Sequence, residues 1–163
     1  MKNYFNKNHY FELIKKENEN HVDLIKYNLL LYDQVLWSSR KDYSKLFELF
    51  IQKKIDFQQF EMQFYNLNLA NSEKYEILTE NLKAEASSNL SKSNEIIVNS
   101  ESSGFSSIIS NLEQCLELYD SRVTLEMNLK SSDIVSSGIS ADYLRILVEE
   151  SFFPKIQKYC KES

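Results

Sequence analysis

Apolar residues recur every three or four positions along most of this chain, the spacing of one face of an α-helix. Val22, Ile25, Leu29, Tyr32 and Leu36 step in this way and predict a helix over about 21–37 with that stripe toward a core, Trp37 covering its end. Leu46, Phe47 and Phe50 predict a second helix over about 41–54, after a break at Ser38-Ser39-Arg40. Phe57, Phe60, Phe64 and Leu67 predict a third over about 56–69. The two meet at the basic corner Lys53-Lys54, and Asp56 suits the N-cap, because its carboxylate can accept the free N–H groups that open a helix. Residues 45–67 therefore read as an αα-hairpin joining two aromatic faces.

The same spacing continues on both sides of the hairpin. A short helical segment is expected at about 9–17. Asn71-Ser72 signals a cap before a separate helix over about 72–86, with Tyr75, Leu78 and Leu82 on one side. Phe105, Ile108, Leu112, Cys115 and Tyr119 predict a helix over about 105–119, extendable to Leu129. Ser140 caps a last helix in which Leu144, Val148, Phe152, Ile156 and Tyr159 share a face. Pro154 lies inside it and removes a backbone donor, so a kink is expected near Ser151–Pro154. Two stretches are polar. Residues 87–107 are Ser- and Asn-rich and read as a flexible loop outside the core, and residues 130–139 read as a second linker. No strand-like alternation persists and no repeat is found. The expected fold is all-α: an antiparallel helical bundle of four to five main helices over 41–163, interrupted by the Ser-rich loop, with residues 1–40 as an N-terminal helical extension packing on it.

Composition narrows the chemistry. With 163 residues, 2 glycines and 1 proline, the chain suits one ordinary domain, while tight β-turns and Gly-rich phosphate loops are disfavoured. Scarce Ala and Arg beside abundant Lys, Asn, Ile, Tyr and Phe suggest an A/T-rich genome, such as that of a plastid or a reduced bacterium. No apolar run approaches the roughly 18 residues of a membrane span, and the N-terminus lacks a secretory core. Cys115 and Cys160 form neither a metal pair nor a disulfide framework and read as small buried hydrophobes. A soluble protein of a reducing compartment is expected, in the plastid stroma or bacterial cytoplasm.

The net charge of −5 is unevenly placed. Residues 112–150 hold eight acids against three bases, and the remaining sequence balances. Such a surface repels nucleic acid and attracts basic proteins. Isolated pairs such as Lys15-Lys16 and Arg40-Lys41 stand close to acids, and a pI near 5.2 disfavours a nucleic-acid binder. Glu113, Glu117 and Asp120 step by four and three, so they share a helix face. Paired carboxylates can do acid–base work in a pocket, but a solvated or partner-binding face is the expected role. His9 and His21 have no metal-ligand spacing, and no Gly-x-Ser-x-Gly, Walker or dinucleotide fingerprint occurs. Neither a metal nor a cofactor is expected.

The hairpin sequence Ser44-Lys45-Leu46-Phe47-Glu48-Leu49-Phe50-Ile51-Gln52-Lys53-Lys54-Ile55-Asp56, followed by Phe57-Gln58-Gln59-Phe60-Glu61, resembles the opening of the colicin D immunity family of bacterial self-protective immunity proteins. Leu116-Glu117-Leu118-Tyr119-Asp120 is similar to that family's third helix running into an acidic corner, and Ile139 to Arg145 to the start of its last helix. The resemblance covers about 44–69 and 105–160. It implies a non-enzymatic protein that occludes a basic, tRNA-cleaving toxin domain with an acidic surface. Glu113, Glu117, Asp120, Glu126 and Asp133 are then the partner-binding candidates on charge and position. The alternative expectation is an accessory subunit of a larger organellar complex.

Overall fold

The computed structural model describes residues 3–16, 21–88, 97–131 and 134–161, and the chain is an all-α helical bundle. Helices α1 (Lys7–Lys15), α2 (Val22–Ser38), α3 (Arg40–Ile51) and α4 (Phe57–Ser88) are followed by α5 (Ser102–Glu117), α6 (Leu125–Lys130), α7 (Ile134–Ser137), α8 (Ala141–Leu147) and α9 (Phe153–Lys161). Two-residue strands β1 (Asn3–Tyr4) and β2 (Ile97–Val98) pair antiparallel. The chain divides into two compact units. One comprises residues 1–39 and 68–104, the other residues 40–67 and 105–163.

In the first unit α2 runs antiparallel to the later part of α4: Tyr32 meets Tyr75 edge-on, and the Ser39 hydroxyl donates to the Asn71 side-chain oxygen at 2.7 Å. Phe5, Tyr10, Leu13, Leu24, Leu31, Leu82 and Val98 form the core, with Tyr27 and Tyr75 packed against it. Tyr10 donates to Asn28 at 3.1 Å, and burial pushes its phenol up to about 12.

The second unit is built on the hairpin. Its corner is a Schellman-type end to α3: Lys53 adopts φ 57°, its N–H bonds the Phe50 carbonyl, and the Lys54 N–H bonds that of Leu49. Asp56 then caps α4 reciprocally with Gln59. The Gln59 N–H donates to the Asp56 carboxylate at 2.8 Å, and the Asp56 N–H to the Gln59 amide oxygen at 3.1 Å. Phe50 stacks on Phe60 with centroids 4.2 Å apart, Phe47 meets Phe60 edge-on, and Tyr43 meets Phe64. Helix α5 returns antiparallel to the start of α4, so that Phe57 stacks on Tyr119 at one end and Phe105 meets Tyr43 at the other. The rod α8–α9 runs antiparallel to α3. Arg145 lies over the Phe50 ring and donates to the Phe50 carbonyl at 3.1 Å, and Arg40 donates to the Tyr159 carbonyl.

Several sequence expectations are corrected. Residues 57–88 are one helix, because Asn71 is buried and takes the Ser39 hydroxyl instead of capping a new start. Residues 97–107 are not a loop outside the core: Val98 and Phe105 are buried, and α5 begins at Ser102; residues 89–96 of that stretch lie outside the described residues. Helix α5 stops at Glu117, where backbone bonds between Leu118, Asp120 and Ile139 turn the chain. Ile139 of the expected polar linker is buried. On α2, Val22, Ile25 and Leu29 face solvent at 62%, 45% and 58% exposure, while Leu24, Leu31 and Val35 are buried. Cys115 and Cys160 are half-buried free thiols. Near Pro154 the rod widens into a π-helical stretch, Val148–Phe152, whose looser ladder accommodates the missing donor.

Candidate functional site: an acidic seam between α4 and α5

Glu113 and Glu117 stand one turn apart on α5, which packs antiparallel to the first turns of α4. Glu61 and Tyr65 stand one turn apart on α4. The Tyr65 phenol is pushed above its ordinary value, first by burial and then by the charges of Glu61, Glu113 and Glu117. Three carboxylates thus act on one phenol through their charge, and Glu61 and Glu117 make no ion pair among the described residues. Like charges held together raise the local negative potential, which a cation from outside would relieve.

The other predicted carboxylates are engaged elsewhere. Asp120 holds a bidentate pair with Arg122 at 2.7 and 3.0 Å and accepts the Arg122 N–H at 2.8 Å. These bonds, the side-chain one first, hold its carboxyl down at about 2. Asp120 is a turn-forming residue in an Asx-type turn. Glu126 pairs with Lys130 one turn along α6. Asp133 lies outside the described residues. The seam therefore unites two of the five sequence candidates and adds Glu61 and Tyr65. Sequence reasoning missed those two because the pairing of α4 with α5 is a tertiary fact. Their local signal was only a position beside the Phe57–Phe60–Phe64 stripe.

The turn that follows the seam is fixed by polar groups. Asn128 is buried; its amide donates to the Gly138 carbonyl at 2.8 Å and accepts the Ser140 N–H at 2.9 Å. Gly138 has φ +81°, and a Cβ there would lie 3.1 Å from the Asp120 Cβ. Ser140 caps α8 by accepting the Tyr143 N–H.

An open groove of about 480 Å³ lies between α3 and α4. Leu46, Leu49 and Leu67 line it together with Asp42, Lys45 and Gln63. These residues place no nucleophile beside a general base. Among the described residues no cluster of His, Cys, Asp and Glu is placed to hold a metal ion, and no helix is long and apolar enough to cross a membrane. Compared with family models, curated proteins and solved structures, the chain matches none.

Proposed function

We propose that this chain is a non-enzymatic protein-binding bundle that engages a basic protein partner through the acidic seam of Glu61, Glu113 and Glu117. The observation that carries this reading is the acidic excess of residues 112–150, within which Glu113 and Glu117 stand one turn apart on α5. The resemblance of the hairpin to colicin D immunity proteins narrows the partner to a basic tRNA-cleaving toxin domain, whose active site the carboxylates would occupy in place of phosphates. Such a complex forms quickly and weakens with salt. The test is inhibition of tRNA cleavage by a basic nuclease domain encoded beside this chain. Stoichiometric inhibition that is lost in the Glu113→Lys/Glu117→Lys variant is the expected result. Undiminished cleavage at saturating protein, with no complex on gel filtration at low salt, rejects the reading.

A second reading, an accessory subunit of a larger organellar assembly, is favoured by the exposed stripe Val22, Ile25 and Leu29 on α2. Sedimentation of native extract separates the two. Migration within a large particle supports the subunit, and migration as a small free species rejects it.

A further inference from the structure

Helix α2 starts on a histidine, where Ser, Thr, Asp or Asn is the usual cap. The backbone of His21 is extended, at φ −68° and ψ 124°, and its Nδ1 accepts the Asp23 N–H at 3.3 Å. That N–H belongs to the first turn of α2 and has no carbonyl partner inside the helix. An imidazole accepts only while neutral. Here Nδ1 keeps its lone pair and the ring proton sits on Nε2, whereas an imidazolium carries a proton on both nitrogens and accepts nothing. His9 of α1 meets the same residue from the other side. Its Nε2 lies 3.8 Å from the Asp23 carboxylate, a contact that is an ion pair only when the ring is protonated, and its ring meets Tyr27 edge-on. Asp23 and Tyr27 thus face His9 from α2, Lys26 approaches the other Asp23 oxygen at 3.5 Å, and Glu12 stands one turn along α1 from His9.

We propose that the junction of α1 with α2 is a pH-sensitive exchange of contacts, in which protonation takes the Asp23 N–H from His21 and gives the Asp23 carboxylate to His9. The sign follows from the chemistry of each ring. The His21 contact is present above the histidine range, about pH 5 to 8, and is lost as pH falls through it. The His9 ion pair is absent above that range and is gained as pH falls through it. A protonated His21 also sets positive charge at the positive end of α2, which opposes the cap a second time. The two changes act against each other in overall stability, so the switch works on local order. The first turn of α2 loosens while the new ion pair ties α1 to it. Leu24 follows Asp23 directly and packs in one cluster with Tyr10 and Leu13 of α1, so the exchange sits at the edge of a core. The switch is independent of the acidic seam and of any partner bound there.

The test is amide hydrogen exchange of the full chain, followed by NMR between about pH 8 and about pH 5 and corrected for the intrinsic rate. Protection of the Asp23 amide is expected to fall about fivefold over that interval, the effect of losing one side-chain cap. The midpoint of the fall should coincide with the titration of the His21 ring protons. His21→Asn supplies an acceptor that does not titrate and should keep the Asp23 amide protected at both ends. His9→Gln removes the compensating ion pair, so its fall should be steeper than that of the wild type from the same starting value. Both histidines are partly exposed, and circular dichroism checks that each variant keeps its helices. Should a variant lose them, the wild type carries the test alone: the Asp23 amide shift and the His21 ring shifts must titrate together. Constant Asp23 protection in the wild type, or a fall of equal size in His21→Asn, overturns the proposal. A His9→Gln profile that superimposes on the wild type also overturns it, because the Asp23 carboxylate has then not changed partners.

Discussion

Helices α2 and α4 both carry apolar side chains at three- and four-residue steps, yet they use them differently. At the start of α4 the residues between Phe57, Phe60 and Phe64 are mostly polar (Gln58, Gln59, Glu61), so only one face can be buried without cost. Helix α2 is apolar on several sides. Leu24, Leu31 and Val35 are buried, while Val22, Ile25 and Leu29 face solvent. A helix with one apolar face has one way to dock; a helix with two can dock on either, and its partners decide. For α2 the partners are α1 and the later turns of α4, which receive Leu24 and Leu31 into the cluster around Tyr10 and Leu82.

The sharpest break of this comparison is Phe60→Ala. Phe60 is fully buried and lies against both Phe47 and Phe50. Truncating such a ring removes transfer energy and leaves a cavity, so the loss should be about 3–5 kcal/mol in urea denaturation. A loss under about 1 kcal/mol would mean that the hairpin is not the packed centre of its unit.

Next in size is Asn128→Ala. The substitution strands the Gly138 carbonyl and the Ser140 N–H, both satisfied by that side chain. Leaving buried polar groups unpaired costs about 1–3 kcal/mol. Asn128→Asp keeps the acceptor for Ser140 but sets a buried carboxylate against the Gly138 carbonyl, and should cost at least as much as Ala at neutral pH. An Ala variant as stable as the wild type would show that water replaces the amide at this turn.

How much could be read beforehand follows from the same physics. The hairpin was legible because its signals are local: a basic corner at Lys53-Lys54, an Asp56 cap, and one aromatic face, to which the structure adds the positive φ of Lys53 and the return bond from Gln59. The last helix was legible too, since Ser140 caps it and Leu144, Val148 and Ile156 are all buried on one face. Asn71 misled because a cap and a buried amide have the same sequence appearance. Only the distant Ser39 hydroxyl, 32 positions earlier in the chain, makes it an interior residue. Asp120 misled in the opposite way. Its spacing from Glu117 suggested a shared face, but the helix ends before it and Arg122 claims its carboxylate. Of the seam, Glu113 and Glu117 were visible as an i,i+4 pair, while Glu61 and Tyr65 became part of it only through the packing of α4 on α5.

Asp120 gives a smaller effect, confined to acid. Its carboxyl is held at about 2 in the folded protein against an ordinary 3.8. A depressed carboxyl stabilises the fold above its unfolded value, and that contribution is lost as pH falls from about 4 to about 2. Asp120→Asn should therefore flatten the fall of the thermal midpoint over that window relative to wild type, with little change in the shape of the profile above pH 5. Parallel wild-type and variant curves between pH 4 and pH 2 would show that the Arg122 pairing does not persist in solution.

The smallest effect is expected on the exposed face of α2, and it tests the comparison from the other side. Leu29 is apolar and helical like Phe60, and sequence spacing alone would place both in a core. Its exposure assigns it almost no burial energy, so Leu29→Ser should change stability by no more than about 0.5 kcal/mol, most of it helix propensity. Leu31→Ala, two residues along the same helix but fully buried, should cost about 2–5 kcal/mol. The ratio between the two measures which face of α2 meets the core, with helix length and composition held constant. Equal losses of about 2 kcal/mol or more would mean that the Val22–Ile25–Leu29 face is covered in solution. That result would favour the assembly reading of this chain over that of a free inhibitor.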